Sequence, residues 1–112
     1  MRLWMVDPHF LCKFHLLGEH GEIHMFVGAL EHGHSVEGYV DKGLLEVHGL
    51  FDRHEELVIE MVRRSYNHNS PLDEKWKRMK KQGFIDREKS LRELIGRCSR
   101  CRERYIQYGK EF

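Results

Sequence analysis

The sequence predicts an all-α fold: a compact three-helix single domain with an extended N-terminal segment and an aromatic C-terminal tail. Three stretches repeat apolar residues at the three- and four-residue spacing of a helix that faces a core. Only two prolines interrupt the 112 residues, and charged residues make up 33% of the chain beside 40% hydrophobic residues. This composition is typical of a helical globular protein, and the length fits one domain over residues 1–112.

The first third of the chain predicts an extended segment followed by helix 1. Residues 1–6 alternate roughly between apolar and polar side chains. Asp7, followed by a proline, is a suitable N-cap, so helix 1 is expected to begin between Asp7 and Cys12 and to end near Glu31. Gly33 then serves as the C-cap residue. Apolar material for this helix comes from Phe10, Phe14, Leu17, Met25, Val27, Gly28 and Leu30.

The middle of the chain predicts a connection and then helix 2. Residues 34–49 contain three glycines and indicate an irregular connection, or a short hairpin around residues 41–43. Asp52 is a suitable N-cap for helix 2, and Glu55 completes a variant capping box. The helix ends before residues 67–71, which read Asn-His-Asn-Ser-Pro. Its apolar stripe consists of Leu57, Val58, Met61, Val62 and Tyr66.

The last third predicts a short helical turn, helix 3 and the tail. A basic turn over residues 76–81 is stopped by Gly83. Helix 3 is expected from about Asp86 to Tyr105, and the aromatic, basic tail spans residues 104–112. The buried side of helix 3 is marked by Leu91, Leu94, Ile95, Cys98 and Cys101 or Arg102.

Charge is distributed unevenly along the chain. Residues 1–74 carry 6 Lys/Arg and 13 Asp/Glu together with all nine histidines, whereas residues 75–112 carry 13 Lys/Arg and 5 Asp/Glu. A basic C-terminal third on a chain of net charge +1 suits a polyanionic partner such as nucleic acid. A solvated amphipathic helix is the alternative reading.

Cysteine content and hydropathy favour an intracellular protein. Three cysteines, an odd number, argue against a disulfide framework and fit a reducing compartment. Residues 1–8 are too short and interrupted for a signal peptide, and no apolar run approaches membrane-spanning length. We therefore expect a cytoplasmic protein, a monomer without membrane contact.

One predicted face of helix 1 carries ionisable groups beside a glycine. His15, Glu19 and Glu22 are four and seven residues apart, so they share this face with Gly18. A carboxylate next to an amine or imidazole can perform general acid–base chemistry when its surroundings tune its pKa. The alternative is a solvated polar face.

Histidines and cysteines offer weaker metal signals. His20 and His24, four apart on helix 1, can bind one metal ion, but they belong to no recognisable ligand signature, so surface histidines are the favoured interpretation. Cys98 and Cys101 form one CxxC, which is half a zinc site and is favoured as a pair of buried structural cysteines. No metal or cofactor is expected. Further possible ligands are His32, His34, His48 and His54.

Three segments, taken in order, resemble the phage-type pyrimidine-dimer DNA glycosylase (endonuclease V) family. Arg2 directly follows the first residue, as a family arginine follows the catalytic N-terminal residue. Residues 15–22, His-Leu-Leu-Gly-Glu-His-Gly-Glu, resemble the family's His-Leu-x-x-Glu-x-x-Glu helix segment. Residues 105–110, Tyr-Ile-Gln-Tyr-Gly-Lys, resemble its terminal Tyr-x-x-Tyr-Gly-Lys. Residues 50–66 match more loosely.

The resemblance implies a glycosylase and AP lyase that acts on damaged double-stranded DNA without a metal or cofactor. The α-amino group of the first residue attacks the sugar, the base departs, and an imine forms before elimination breaks the strand. Because Met1 precedes the bulky Arg2, we expect Met1 to be retained and to supply this amine. Glu22 would stabilise the positive sugar and then move protons, while Arg2 and His15 would hold a phosphate or position Glu22.

Other residues have implied or alternative roles. Tyr105, Tyr108 and Lys110 would press against a kinked lesion, although aromatic residues at a C-terminus also commonly dock onto a core. Where the family commonly carries arginines beside its catalytic glutamate, this chain has Gly21 before Glu22, and His24 and Met25 after it. An AP lyase or a glycosylase for another lesion would use the same Met1 and Glu22. The remaining alternatives are a non-catalytic nucleic-acid-binding module and a histidine-rich metal-binding protein.

Overall fold

Every regular element in the part of the chain that the structure describes is helical. The structure, a computed structural model, describes residues 1–109. The prediction of an all-α, compact fold is confirmed, and the Cα radius of gyration is 13.9 Å. The described residues form five α-helices rather than the three predicted: α1 (Lys13–Glu31), α2 (Glu37–Asp41), α3 (Leu50–Arg63), α4 (Arg87–Arg97) and α5 (Ser99–Tyr108). Short 3-10 turns occupy Pro8–Phe10, Val47–Gly49 and Glu74–Arg78.

The N-terminal segment lacks helix, as predicted, and is held on both sides. The side chains of Leu3 and Trp4 are buried. The Leu3 N–H donates to the Leu44 carbonyl at 2.8 Å, and the Ser90 hydroxyl of α4 donates to the Trp4 carbonyl. Asp7 then caps the 3-10 turn at Pro8–Phe10 by accepting from the His9 N–H at 2.9 Å. These bonds fix the start of the chain between α4 and the segment that follows α2.

Helices α1 and α3 pack against each other, and each contributes buried residues to the core. Helix α1 ends at Glu31, as predicted, and Gly33 follows with a φ of +74°, the left-handed conformation that suits a glycine after a helix. Phe14 and Met25 do not supply the buried face, because 65% and 58% of their surface is exposed. Buried core residues of the two helices include Leu16, Ile23, Phe26, Leu57 and Met61.

A buried ion pair joins α1, α3 and the N-terminal segment. The Glu19 carboxylate accepts from Arg53 Nε at 2.6 Å and from Nη2 at 3.0 Å, and both residues are almost fully buried. The remaining Nη1 of Arg53 donates to the Val6 carbonyl at 2.7 Å. Because an unpaired buried charge is very costly, the three groups hold one another in place.

The predicted boundaries of helix 2 are wrong at its start. Helix α3 begins at Leu50 because the 3-10 turn at Val47–Gly49 runs directly into it. Asp52 therefore lies in the first turn, where its charge still suits the helix dipole, and it makes no capping bond. The helix ends at Arg63, and Val62, placed on the predicted apolar stripe, is 60% exposed.

The connection before α3 contains the short helix α2 and not the hairpin considered as an alternative. Its apolar side chains, including Leu45 and Val47, are buried, so this stretch packs as part of the core. The buried Glu46 carboxylate accepts from the Ile85 N–H at 2.8 Å and pairs with Arg87. Gly83 allows the return of the chain, since a Cβ there would lie 2.1 Å from the Leu45 carbonyl oxygen.

The predicted single helix 3 is two helices that meet at Cys98. Asp86 caps α4 by accepting from the Lys89 N–H at 3.1 Å, so the predicted start holds. Cys98 is extended, with φ −117° and ψ 109°, and its sulfur caps α5. Helix α5 reaches Tyr108, so the predicted tail is helical up to that residue, whereas Lys110 lies outside the described residues.

Over residues 1–109, none of the helices is both long and apolar enough to cross a membrane. The basic turn predicted at residues 76–81 lies earlier, as the 3-10 turn at Glu74–Arg78, which buries Trp76. Its predicted bounds are therefore wrong, because the turn ends at Arg78, well before Gly83.

The ion pair between Glu19 and Arg53 predicts a large stability effect. Arg53→Met leaves the Glu19 carboxylate buried without its partner, and we expect a loss of about 3–5 kcal/mol in the free energy of unfolding. Urea denaturation measures this, with Arg92→Met on the exposed face of α4 as the matched control. The double variant Glu19→Met/Arg53→Met should recover most of the loss. A single variant as stable as the control would contradict the organising role of the pair.

Glu60 predicts a stability loss in acid. Burial acts to raise the pKa of Glu60, but hydrogen bonds from Arg63 and Arg64 outweigh it and lower this pKa to about 2. The folded-state pKa lies below the ordinary value of 4.5. The ionised Glu60 therefore contributes fully to the free energy of unfolding above pH 4.5, and this contribution disappears as the pH falls toward 2. We expect Glu60→Gln to lower the free energy of unfolding near neutral pH. In this variant the free energy of unfolding should also fall less steeply between pH 4.5 and 2, as measured by urea denaturation at each pH. Parallel acid profiles for Glu60→Gln and the unaltered protein would refute this.

Candidate active site

An open cleft of about 390 Å³ lies where the N-terminal residues meet α1. Four of the residues predicted for the site, from the N-terminal segment and α1, line it together. The lining also includes residues that the sequence did not single out for the site. Its lining consists of Met1, Arg2, Trp4, Phe14, His15, Gly18, Glu19, Glu22 and Arg97.

Glu22 lies under the first peptide bond of the chain. The backbone N–H of Arg2 donates to Glu22 Oε2 over 3.5 Å, a long hydrogen bond. The two carboxylates on this face of α1 have different surroundings. Glu19 is bound by Arg53, whereas Glu22 lies beside Met1 in the cleft. A carboxylate next to an N-terminal amine is suited to stabilising a positive charge and to moving protons.

Arg2 lines the cleft, but α4 binds its guanidinium. Its Nη1 donates to Glu93 Oε2 at 2.8 Å, and its Nη2 donates to the Ser90 hydroxyl at 3.0 Å. The guanidinium also stacks on the Trp4 ring at 3.9 Å from the centroid. With 13% of its side chain exposed, Arg2 fixes the position of the N-terminus. Direct phosphate binding, one of its two predicted roles, would require breaking this arrangement.

His15 lies between the cleft and a group of thiols. Its ring meets the Trp4 ring edge-on, with centroids 5.6 Å apart. Burial lowers the pKa of His15, although the carboxylates of Glu22 and Glu19 act in the opposite direction. Its Nδ1 faces the sulfur of Cys12 at 3.3 Å, so this nitrogen is turned away from a phosphate in the cleft.

Gly18 lies in the cleft wall with open space in front of it. A Cβ at this position would meet nothing within 4 Å. No part of the N-terminal segment therefore approaches Gly18 so closely that a side chain would be excluded. Its lack of a side chain leaves the cleft open beside Glu22.

Two residues at the rim of the cleft, Phe14 and Arg97, were not predicted as site residues. Phe14 projects into solvent and lines the cleft. Because Phe14 lies four residues before Gly18, helix geometry places both on one face, and this spacing could have predicted Phe14 as part of the site. Arg97 of α4 also lines the cleft, and the neighbouring Arg100 lies over the Phe14 ring at 5.1 Å. No local pattern could have revealed Arg97, because only packing brings α4 to α1.

The two predicted tail tyrosines, Tyr105 and Tyr108, lie outside the cleft lining. Tyr105 meets the Phe10 ring edge-on at 5.1 Å, which agrees with the alternative of docking onto the core. Tyr108 lies under the Arg104 guanidinium at 4.8 Å. Neither tyrosine lines the cleft around Glu22. The predicted DNA contacts of these residues stay predictions.

Two clusters of potential metal ligands lie close to this region. In each cluster the four ligand atoms lie within 4.8 Å of one another. His20 and His54 are buried, so the interpretation of surface histidines is wrong for them, although it holds for the exposed His32 and His34. The thiol cluster consists of Cys12, His15, Cys98 and Cys101, and the histidine cluster consists of His20, His24, His54 and His68.

Comparison with known protein families identifies the relationship of this chain. A family model described as pyrimidine dimer DNA glycosylase matches residues 1–74. The chain belongs to the pyrimidine dimer DNA glycosylase family. No curated protein and no solved structure matched the chain in the corresponding searches.

Membership of the pyrimidine dimer DNA glycosylase family makes this chain a DNA repair glycosylase with DNA as its substrate. The matched residues include Met1, Glu22 and the buried pair of Glu19 and Arg53. Helices α4 and α5 lie beyond the match. They contribute Arg97 to the cleft and two sulfurs to the thiol cluster.

Proposed function

We propose that this glycosylase removes pyrimidine dimers through a Schiff base at the Met1 amine and then cleaves the strand as an AP lyase. The observation that carries the proposal is the contact between the Arg2 N–H and Glu22 Oε2, because it brings the start of the chain to a carboxylate in an open cleft. An α-amine has an ordinary pKa of about 7.7–8.0, so a useful fraction of such amines is neutral and nucleophilic at pH 7.

Glu22 serves two successive steps in this proposal. The amine nitrogen of Met1 forms a bond to C1′ of the damaged nucleotide, and the base leaves with the electrons of the glycosidic bond and takes up a proton. The carboxylate of Glu22 stabilises the positive charge on the sugar as this bond breaks. The bound nitrogen loses one proton, and the ring oxygen takes up a proton as the sugar ring opens, which gives a protonated imine. Glu22 then removes a proton from C2′, and the 3′ phosphate leaves by β-elimination.

The cleft rim supports binding of an extruded nucleotide. The exposed Phe14 ring offers a stacking surface, and Arg97 and Arg100 provide positive charge beside it. Extruding a nucleotide from a damaged duplex is less costly because the lesion has already weakened stacking. Lys and Arg on α4 and α5 add phosphate contacts, whose affinity falls with salt.

Replacement of Glu22 tests the proposed chemistry. We expect Glu22→Gln to lower base release by at least about 10²–10³-fold, because the sugar cation loses its carboxylate, while binding to damaged duplex remains nearly intact. Single-turnover glycosylase assays and gel-shift titration measure the two quantities. Glu31→Gln, at the exposed end of the same helix, is the matched control. Full activity of Glu22→Gln would refute the assignment.

Borohydride trapping separates the alternatives that share this site. Unaltered protein should form a covalent complex with duplexes that carry either a cyclobutane pyrimidine dimer or an abasic site. An extension left on the N-terminus should abolish trapping, because Met1 then has no free amine. Trapping on the abasic site alone would narrow the activity to an AP lyase or to a glycosylase for another lesion. Salt-dependent binding without trapping on either duplex would favour a non-catalytic binding module.

A further inference from the structure

All three cysteines of this chain lie in one cluster with His15. Cys12 precedes α1, and Cys98 and Cys101 come from the junction of α4 and α5, yet Cys12 Sγ lies 3.9 Å from Cys98 Sγ. His15 Nδ1 lies 3.3 Å from Cys12 Sγ and 3.5 Å from Cys101 Sγ. The sulfurs are free thiols, and 3.9 Å is well beyond a disulfide bond of about 2.05 Å.

The distances in this cluster are those of a tetrahedral zinc site. Zinc bonds of about 2.3 Å to sulfur and about 2.0–2.1 Å to nitrogen place two sulfurs about 3.8 Å apart, and a sulfur and a nitrogen about 3.5 Å apart. The observed separations of 3.9, 3.3 and 3.5 Å agree with these edges. These three distances, with all four ligand atoms within 4.8 Å of one another, fit four ligands around one ion.

The backbone around the cluster is arranged to support thiolates. The Cys12 N–H donates to Cys101 Sγ at 3.2 Å, and the Cys101 N–H donates to Cys98 Sγ at 3.4 Å. The break between α4 and α5 turns Cys98 toward Cys12, which a continuous helix would not do. Zinc is bound by the thiolate form of cysteine, and N–H donors stabilise that form.

We propose that Cys12, His15, Cys98 and Cys101 bind one zinc ion as a closed structural site. Four protein ligands leave no coordination position for water or substrate, which is typical of a structural site. The ion would join the start of α1 to the junction of α4 and α5. It would also hold His15 through Nδ1, which leaves the ring proton on Nε2 and fixes the ring in the cleft wall.

The histidine cluster carries a second inference on separate observations. The Nε2 atoms of His20, His24 and His68 are buried and have no hydrogen-bond partner within residues 1–109. The rings of His20 and His54 lie 4.9 Å apart, and that of His24 lies 5.0 Å from His54. Buried ring nitrogens are normally hydrogen-bonded, so three orphaned atoms aimed at one place require an explanation.

A contact of His54 suits metal binding, which takes place through one nitrogen of a neutral imidazole. His54 Nδ1 lies 3.1 Å from Glu55 Oε1, and a carboxylate on the second ring nitrogen is common among metal-binding histidines. His54 Nε2 also lies 3.2 Å from the Ser70 carbonyl oxygen.

We infer that His20, His24, His54 and His68 bind a second divalent transition-metal ion, of which zinc is the first candidate. This site would link α1, α3 and the segment that follows α3. Neither inference depends on the proposed glycosylase chemistry, because metal content is measured without DNA.

Metal analysis of protein expressed with zinc and without a histidine tag tests both sites. Mass spectrometry under native conditions and elemental analysis should find two zinc ions per chain. Cys98→Ser/Cys101→Ser and His20→Asn/His54→Asn should each lose one ion. Ser99→Ala, between the two cysteines, and the exposed pair His32→Asn/His34→Asn should lose none. Reduced protein that remains metal-free after exposure to zinc overturns both inferences, and one ion that only the cysteine variant loses overturns the second.

Two measurements on unaltered protein cover variants that fail to fold. Titration of the thiols with an organomercurial should release one zinc ion per chain and leave the other bound. Cobalt loaded in place of zinc should give a thiolate charge-transfer band together with the visible bands of a tetrahedral ion. Thiol titration without zinc release, or bound cobalt without a charge-transfer band, would refute the cysteine site.

Discussion

The buried pair of Glu19 and Arg53 is the interaction on which the rest of this molecule depends. It joins the two main helices, and Arg53 uses its remaining donor to hold the Val6 carbonyl. The chain before Val6 must then run back along α1, which brings Arg2 over Glu22, one turn from Glu19. The pair thus contributes to the position of the N-terminus, because neither charge can be buried alone. The sequence spacing places Glu19 and Glu22 on one helix face and does not distinguish their roles. In the structure, Glu19 pairs with Arg53, whereas Glu22 lies beside Met1 in the cleft.

Other polar contacts fasten the N-terminal region from different directions. Arg64 pairs with Glu60 and donates to the carbonyls of Pro8 and Leu11, so the end of α3 holds the 3-10 turn before α1. On the other side, α4 binds Arg2 and the Trp4 carbonyl. The nucleophile proposed at Met1 would need such contacts, because a free terminus would lose much conformational entropy on reaching one geometry.

Local signals predicted much of the fold. Helical periodicity and caps gave the all-α class, the end of α1 at Glu31 and the start of α4 after Asp86, because each of these depends on residues within one or two turns. The break at Cys98 could not be predicted in this way. The sequence around Cys98 continues the helical pattern, whereas in the structure the Cys98 sulfur lies 3.9 Å from that of Cys12, 86 residues earlier. The exposure of Phe14 has a similar origin, since the core leaves that face of α1 open to solvent.

The candidate site shows the same division between local and long-range information. The face of His15, Gly18 and Glu22 could be found from spacing, because helix geometry alone brings these residues together. The ligand clusters could not, since each combines residues of one helix with residues from distant segments. The sequence of the CxxC alone predicts only two of the four ligands of a zinc site. The fold brings Cys12 and His15 to Cys98 and Cys101 as the other two. His15 belongs to both groups, with its ring in the cleft wall and its Nδ1 among the thiols. An ion bound at those thiols would therefore determine the orientation of a side chain beside Glu22, which links the stability of the α4–α5 junction to the geometry of the active-site cleft.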